Sequence, residues 1–201
     1  MRPEIDDLIR KMHTLEEELQ DEYRKKREDF EFIIKAKRIR FAEEVAIQQR
    51  SLRTGVFRYV RDAHLLNILS APLIYSGILP FLLLDLFLMT YQSICFPIYG
   101  IPKVRRSGYL VFDREDLPYL NIIEKFNCFF CSYGNGLAAY LREIAARTEQ
   151  YWCPIKHARR ICAAHDRYPH FFEFGDAASY QKGLERLRDE LRRVEEGQAR
   201  R

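Results

Sequence analysis

Apolar and polar positions follow a helical period over much of this chain, and the pattern is interrupted in two informative places. Ile5, Leu8, Met12, Leu15 and Leu19 recur at steps of three and four, which is the seam of a heptad repeat. The seam breaks at Glu22 and Lys26, where the apolar phase moves to Tyr23, Phe30, Ile33, Ile34, Phe41 and Val45. Residues 4–54 contain neither proline nor glycine, and Pro3 suits a first helical turn, where its missing N–H costs nothing. The expectation is one long amphipathic helix, roughly 75–80 Å if continuous at ~1.5 Å per residue. It packs on its own domain or pairs with a second helical chain.

The second interruption is the loss of charge. Between Leu65 and Pro102 the only charged side chain is Asp85, in a protein where 31% of residues are charged. About 20 apolar residues suffice to span a bilayer core. This run is longer, but Pro72, Gly77 and Pro80 punctuate it. The arm Leu65–Tyr75 reaches only ~16 Å of a ~30 Å core, while Phe81–Ile98 is nearly long enough. Phe57, Tyr59 and Val60 among Arg53, Arg58 and Arg61 make an interfacial lead-in, and Lys103, Arg105 and Arg106 follow the run. Basic residues on both flanks place both ends on one face of the membrane. A membrane-embedded helical hairpin, turning near residues 76–80, satisfies length and charge together. Its competitors are a buried hairpin in a soluble core and a single tilted crossing helix. Asp85 at bilayer depth needs a partner or a task. With Met89, Gln92 and Ser93 it falls near one helix face, the pattern of a polar seam between protomers.

Charge sharpens this picture. Residues 1–31 carry seven Lys/Arg and eleven Asp/Glu, whereas residues 32–64 carry eight and three. The positive excess, +4 overall, thus gathers beside the apolar run and favours an anionic membrane surface over nucleic acid. Mean hydropathy is −0.35, which excludes a polytopic membrane protein. The N-terminus has no apolar core of a secretory signal. Five cysteines in a chain with cytoplasmic basic flanks are expected as reduced thiols.

Beyond residue 102, Tyr109–Phe112 suits a short strand, with Asp113 or Asp116 capping the turn that follows. Leu120–Phe130 and Gly136–Trp152 suit helices, the second with Leu137, Tyr140, Leu141, Ile144 and Ala145 on one face. Another helix is expected from Pro154. The tail, residues 181–201, carries Leu184, Leu187, Leu191 and Val194 on a charged helix that pairs with the N-terminal one.

Candidate chemistry lies in the same region. Cys128-Phe-Phe-Cys131 has the C-x2-C spacing of a metal knuckle, and Cys153-Pro154 follows it. Cysteine at a helix N-cap is a stabilised thiolate. His157 stands four residues on and so shares a helix face with Cys153. The expected structural zinc set is Cys128, Cys131, Cys153 and His157, with Cys162 as the substitute fourth ligand. Four thiolates including Cys162 would equally suit an iron–sulfur cluster. The competing reading is a set of core cysteines among aromatic side chains. Lys156, Arg159, Arg160 and Arg167 form a basic cluster better suited to a membrane surface than to nucleic acid. Phosphate-binding, dinucleotide, nucleophile-elbow and zinc-protease motifs are absent from the sequence. The apolar hairpin resembles the re-entrant anchor of monotopic phosphoglycosyl transferases. The catalytic motif of that family has no counterpart here, and no residue role carries over.

The sequence therefore predicts a mainly α protein. Residues 1–64 form the long amphipathic helix, 65–102 the membrane hairpin, 103–180 a small helical Cys/His metal-binding domain, and 181–201 the charged helical tail. The expected function is a membrane-anchored, zinc-holding interaction or scaffold protein with both termini cytoplasmic. It would bind membrane lipids and, through residues 4–54, a second copy or a helical partner. An iron–sulfur electron-transfer component is the main alternative. The third is an interfacial enzyme acting on a lipid or lipid-linked substrate through His157 or His165.

Overall fold

The structure is a computed structural model that describes residues 3–28, 32–35, 38–41, 43–162 and 164–198. The chain is mainly helical and divides into two units, residues 1–62 with 113–126, and residues 63–112 with 127–201.

In the first unit α1 runs Pro3–Glu28 and ends well short of the expected span. Two strands follow, β1 (Phe32–Lys35) and β2 (Arg38–Phe41), paired antiparallel with Phe32 opposite Phe41 and Lys35 opposite Arg38. The helical reading of this stretch is corrected. Phe-Ile-Ile-Lys is β-branched and aromatic, and Arg-Ile-Arg-Phe alternates with period two, so both fit a pleated surface better than a helix. Phe30 lies outside the described residues. Helix resumes as α2 (Glu43–Ser51) and α3 (Val56–Asp62).

Asn121 starts α6 (Ile122–Trp152) with a capping box. Its side-chain oxygen accepts from the N–H groups of Ile123 and Glu124, both at 3.0 Å, and Glu124 returns a bond to the Asn121 N–H at 2.8 Å. Asn121 is fully buried and also donates to the Thr54 carbonyl at 3.3 Å. Asp113 stands at the N-cap of the 3-10 turn Arg114–Asp116 without a side-chain bond to it, and Asp116 is that turn's last residue.

The second unit is built on the apolar run. α4 (Leu65–Ser76) and α5 (Ile78–Tyr99) follow one another across Gly77, whose φ of −59° and ψ of −15° are right-handed helical values. The reversal expected near residues 76–80 is not formed. Gly77 N–H still bonds the Ile74 carbonyl, and Phe81 N–H bonds the Gly77 carbonyl. Pro80 falls in the first turn of α5, where its missing donor costs nothing. Successive contacts confirm the direction. Tyr75 and Phe81 both pack on Phe130; Phe81 and Asp85 meet Tyr133; Gln92 meets Tyr140, and Tyr99 meets Tyr151 and Trp152. α5 and α6 therefore run parallel.

Parallel neighbours need a chain that travels back. Gly100 provides the turn with a left-handed φ of 66°. Its N–H bonds Pro97, and the next N–H, of Ile101, bonds Phe96 at 2.8 Å, a Schellman ending. Residues 101–112 then return along the two helices, burying Ile101, Val104 and Leu110. Tyr109–Phe112 pairs with no strand among the described residues; it is the far end of this return. At Gly136 an added Cβ would lie 2.6 Å from the Tyr109 carbonyl oxygen and 3.2 Å from the Leu110 Cα. Glycine here sets how closely the return segment can approach α6.

The core gathers Leu88, Phe96, Ile101, Val104, Leu110, Tyr133, Leu137, Tyr140, Ile144 and Leu191. Leu141 and Ala145, expected on the same face of α6, are exposed instead. α7 (Ala177–Gln198) is the last helix, and Leu187 and Leu191 of its apolar stripe pack within this unit. Leu187 and Leu191 are buried, the Leu187 carbonyl accepts from Gln150 at 2.9 Å, and Arg188 donates to the Tyr151 carbonyl at 3.0 Å. No helix begins at Pro154. Residues 154–156 instead lie beside Phe172 as an isolated parallel bridge, with bonds of 2.7 and 2.8 Å.

Gly136→Ala should lower the thermal unfolding midpoint by the equivalent of about 1–3 kcal/mol, because backbone rather than a movable side chain fills the space. Gly108→Ala, with nothing within 4 Å, should leave the midpoint unchanged. The pair is read by thermal melting of the purified chain.

Candidate functional site

The helix Leu65–Tyr99 is 35 residues long, has mean hydropathy 1.9 over its most apolar window, and keeps only 11% of that window buried. It is long and apolar enough to span a membrane. Every α4 residue except Ala71 and Tyr75 is exposed. Leu65, Leu66, Leu69 and Leu73 are among them. Along α5 one face turns inward at three- and four-residue steps: Phe81, Leu84, Asp85, Leu88, Tyr91, Gln92, Phe96 and Tyr99. The opposite face exposes Leu79, Leu82, Leu83, Leu86, Phe87, Met89, Ile94 and Ile98. The usual polarity of a water-facing helix is inverted here, with the polar groups inside and the apolar groups outside. Exposed hydroxyls are bonded back to their own helix, Ser70 to Asn67, Ser76 to Leu73 and Thr90 to Leu86, so they present few free donors.

Asp85 is the centre of the inward face. It is 6% exposed. Arg106 grips it with two bonds, Nε to Oδ1 at 3.1 Å and Nη2 to Oδ2 at 2.6 Å. The Tyr133 hydroxyl adds a third at 2.9 Å. One level along, the Gln92 amide donates to the Tyr140 hydroxyl and accepts from Val104 N–H at 3.0 Å. At the next level Arg147, 3% exposed, donates to the Pro102 carbonyl at 2.7 Å. Each level ties the return segment to a helix. The polar seam expected between protomers is thus internal, and Met89 and Ser93 do not join it; both are exposed. Arg106, expected as a free cation on the lipid surface, is committed to Asp85. Arg53, Arg58, Arg61, Lys103 and Arg105 are exposed. Pro72 lies within α4, and Gly77 approaches Phe130.

A second polar cluster holds residues 164–172 to α6. Glu143 accepts from Arg147 at 2.7 Å and from Arg167 at 2.9 Å. Arg167 also reaches Gln150 at 2.9 Å, and His165 Nε2 lies 2.9 Å from Glu149 Oε2. The His165 ring packs against Tyr168 and Phe171. Burial alone would raise the Glu143 pKa, but Arg147 and Arg167 outweigh it and hold the carboxyl below the usual glutamate range.

The candidate metal ligands do not converge. Cys128 and Cys131 lie within α6 and Cys153 follows its last residue. At ~1.5 Å per residue that helix separates them by roughly 33 Å or more, whereas zinc thiolates sit ~2.3 Å from a shared ion. No group of three or more His, Cys, Asp or Glu is placed to hold a metal among the described residues. The C-x2-C pair is helical, not a knuckle. Cys153 is at a helix C-terminus, bonded through its N–H to the Glu149 carbonyl. Partial burial and then the Glu149 charge raise its thiol pKa, the reverse of the thiolate expected at an N-terminus. His157 and Cys162 are exposed in the irregular segment after α6, and the His157 ring lies beside Tyr168. Cys95 is half-buried in α5.

The sequence named Asp85 but not its partners. Arg106 lies 21 residues away and Tyr133 lies 48 away, distances that no local periodicity reports. The unusual presence of Asp85 in the run was the available signal. No family model matches the chain, and neither curated proteins nor solved structures gave a match.

Arg106→Leu should destabilise the protein by about 3–5 kcal/mol, because Asp85 is left charged and buried with one hydroxyl. The double variant Asp85→Leu, Arg106→Leu should recover much of that loss, giving a large coupling in a double-mutant cycle read by thermal or denaturant unfolding.

The Glu143 cluster should carry a pH signature. A folded carboxyl held below its unfolded value contributes fully above the ordinary value of about 4.3, and its contribution disappears as pH falls through the lower folded value. The wild type should therefore melt above Glu143→Gln at pH 7, and the difference should shrink on acidification below about pH 4. Melting scans of both proteins across that range check it.

Proposed function

We propose that the chain is a membrane-anchored interaction or scaffold protein, held at the cytoplasmic face from one side. The carrying observation is the inverted polarity of residues 65–99. In water such a surface would be a large exposed apolar patch. Against lipid it is the ordinary outside, with the costly carboxylate turned in and paired.

The level of the return segment argues for a one-sided anchor. Pro102, Val104 and Arg106 are tied to Arg147, Gln92 and Asp85. Lys103 and Arg105 therefore stand exposed beside the middle of α5. Two exposed cations at that depth would be expensive in hydrocarbon. In this reading α5 lays only its outer face against lipid, and α4, uncharged and exposed on most of its surface, is the part that penetrates. Twelve residues reach about 18 Å of a ~30 Å core, so both termini stay on one side without a hairpin. Lys103 and Arg105 meet anionic headgroups, each contributing about 1 kcal/mol. The metal drops out of the reading, since its ligands lie at two ends of α6.

Carbonate washing of membranes should leave the chain in the pellet. Leu69→Glu with Leu73→Glu, two exposed positions whose exchange disturbs no packing, should release it to the supernatant while preserving its circular dichroism. A wild type that washes free would end the anchor reading. Cysteines introduced at Gln20 and Glu185 should resist an impermeant label in intact cells and react after lysis. Labelling of one site alone would mean a crossing helix.

A further inference from the structure

We propose that α1 pairs antiparallel with α1 of a second copy of this chain, making the protein a dimer. The inference rests on α1 alone and stands whether or not the anchor reading does.

Leu8, Met12, Leu15, Leu19 and Tyr23 line one side of α1 and are all exposed, between 49% and 64%. That is a heptad seam that no described residue of its own unit covers. A membrane surface is a poor occupant, because the first 31 residues carry eleven acidic against seven basic side chains and would be repelled by anionic lipid. A helix of complementary charge is the better fit, and this helix is complementary to itself in one direction only.

In the antiparallel register that packs Leu8 against Leu19 and Met12 against Leu15 of the other copy, Lys11 flanks the seam opposite Glu18. Symmetry repeats the pair, so two opposite-charge contacts close over six leucines and two methionines. Glu22 then lies at the end of the seam, near water. In the parallel register Glu22 faces its own counterpart across the seam, and like charges at a core position oppose pairing. Among the described residues Lys11 pairs within its own helix with Asp7, at 2.8 Å on an exposed face, a surface contact it can exchange for one across the seam. The seam is short, which implies a modest affinity that confinement of two chains to one surface would raise.

Sedimentation equilibrium of the full chain in mild detergent tests this. The wild type should dimerise reversibly, and Leu15→Asp should abolish it. Lys11→Glu and Glu18→Lys should each weaken the dimer roughly five- to tenfold, because two contacts turn repulsive. The double swap Lys11→Glu, Glu18→Lys should return it to within about twofold of wild type. All three charge variants change exposed side chains only, so folding is not at stake. A monomeric wild type overturns the proposal. So does a dimer indifferent to Leu15→Asp, or a double swap as weak as the single ones. The last result would point to a parallel pair or to contact elsewhere.

Discussion

The second unit depends on the grip of Arg106 on Asp85. α5 and α6 run in the same direction, so the chain between them must travel back along their length. Apart from one 3-10 turn at Arg106–Gly108, this segment has no sheet or helix to satisfy its backbone, and it has to be held by side chains. Asp85, Gln92 and Arg147 do this at three successive levels, through Arg106, Val104 and Pro102. Asp85 is the only charged partner that α5 supplies. A bidentate guanidinium fixes orientation as well as distance, and the Tyr133 hydroxyl connects the same carboxylate to α6. One carboxylate thereby positions three segments.

This arrangement explains how an apolar helix can contain an aspartate without exposing it. The carboxylate and amide of α5 are turned inside, and the exposed Thr90 hydroxyl bonds back to the helix. What remains outward is leucine, phenylalanine, isoleucine and methionine. The clasp and the apolar exterior are two consequences of one division of faces. The same division makes the α4–α5 surface suited to a lipid neighbour and the inner surface suited to α6.

The candidate metal site shows the opposite relation between sequence and structure. Cys128, Cys131, Cys153 and His157 are close enough in sequence to suggest one site, given a turn after Cys131 and a new helix at Pro154. Neither exists. Gly134 and Gly136 stay helical and allow Phe81 and the Tyr109 carbonyl to approach. A glycine needed for close packing and a glycine needed for a turn look the same in sequence, and only the neighbours distinguish them.

The sequence alone determined the helical class, the charge-free run and its basic borders, and the apolar seam along the first helix. These are properties of local composition and period, which fix which faces are apolar regardless of what covers them. It misjudged residues 32–35 and 38–41, which pair as strands, and it read proline and glycine at 77–80 as a reversal. Tertiary structure decided the partners. Whether Pro80 breaks or begins a helix, whether Asp85 faces a protomer or its own chain, and whether four cysteines and histidines meet all depend on contacts between residues far apart in sequence. Those contacts arise from packing two parallel helices around a returning segment, and no local pattern encodes that geometry.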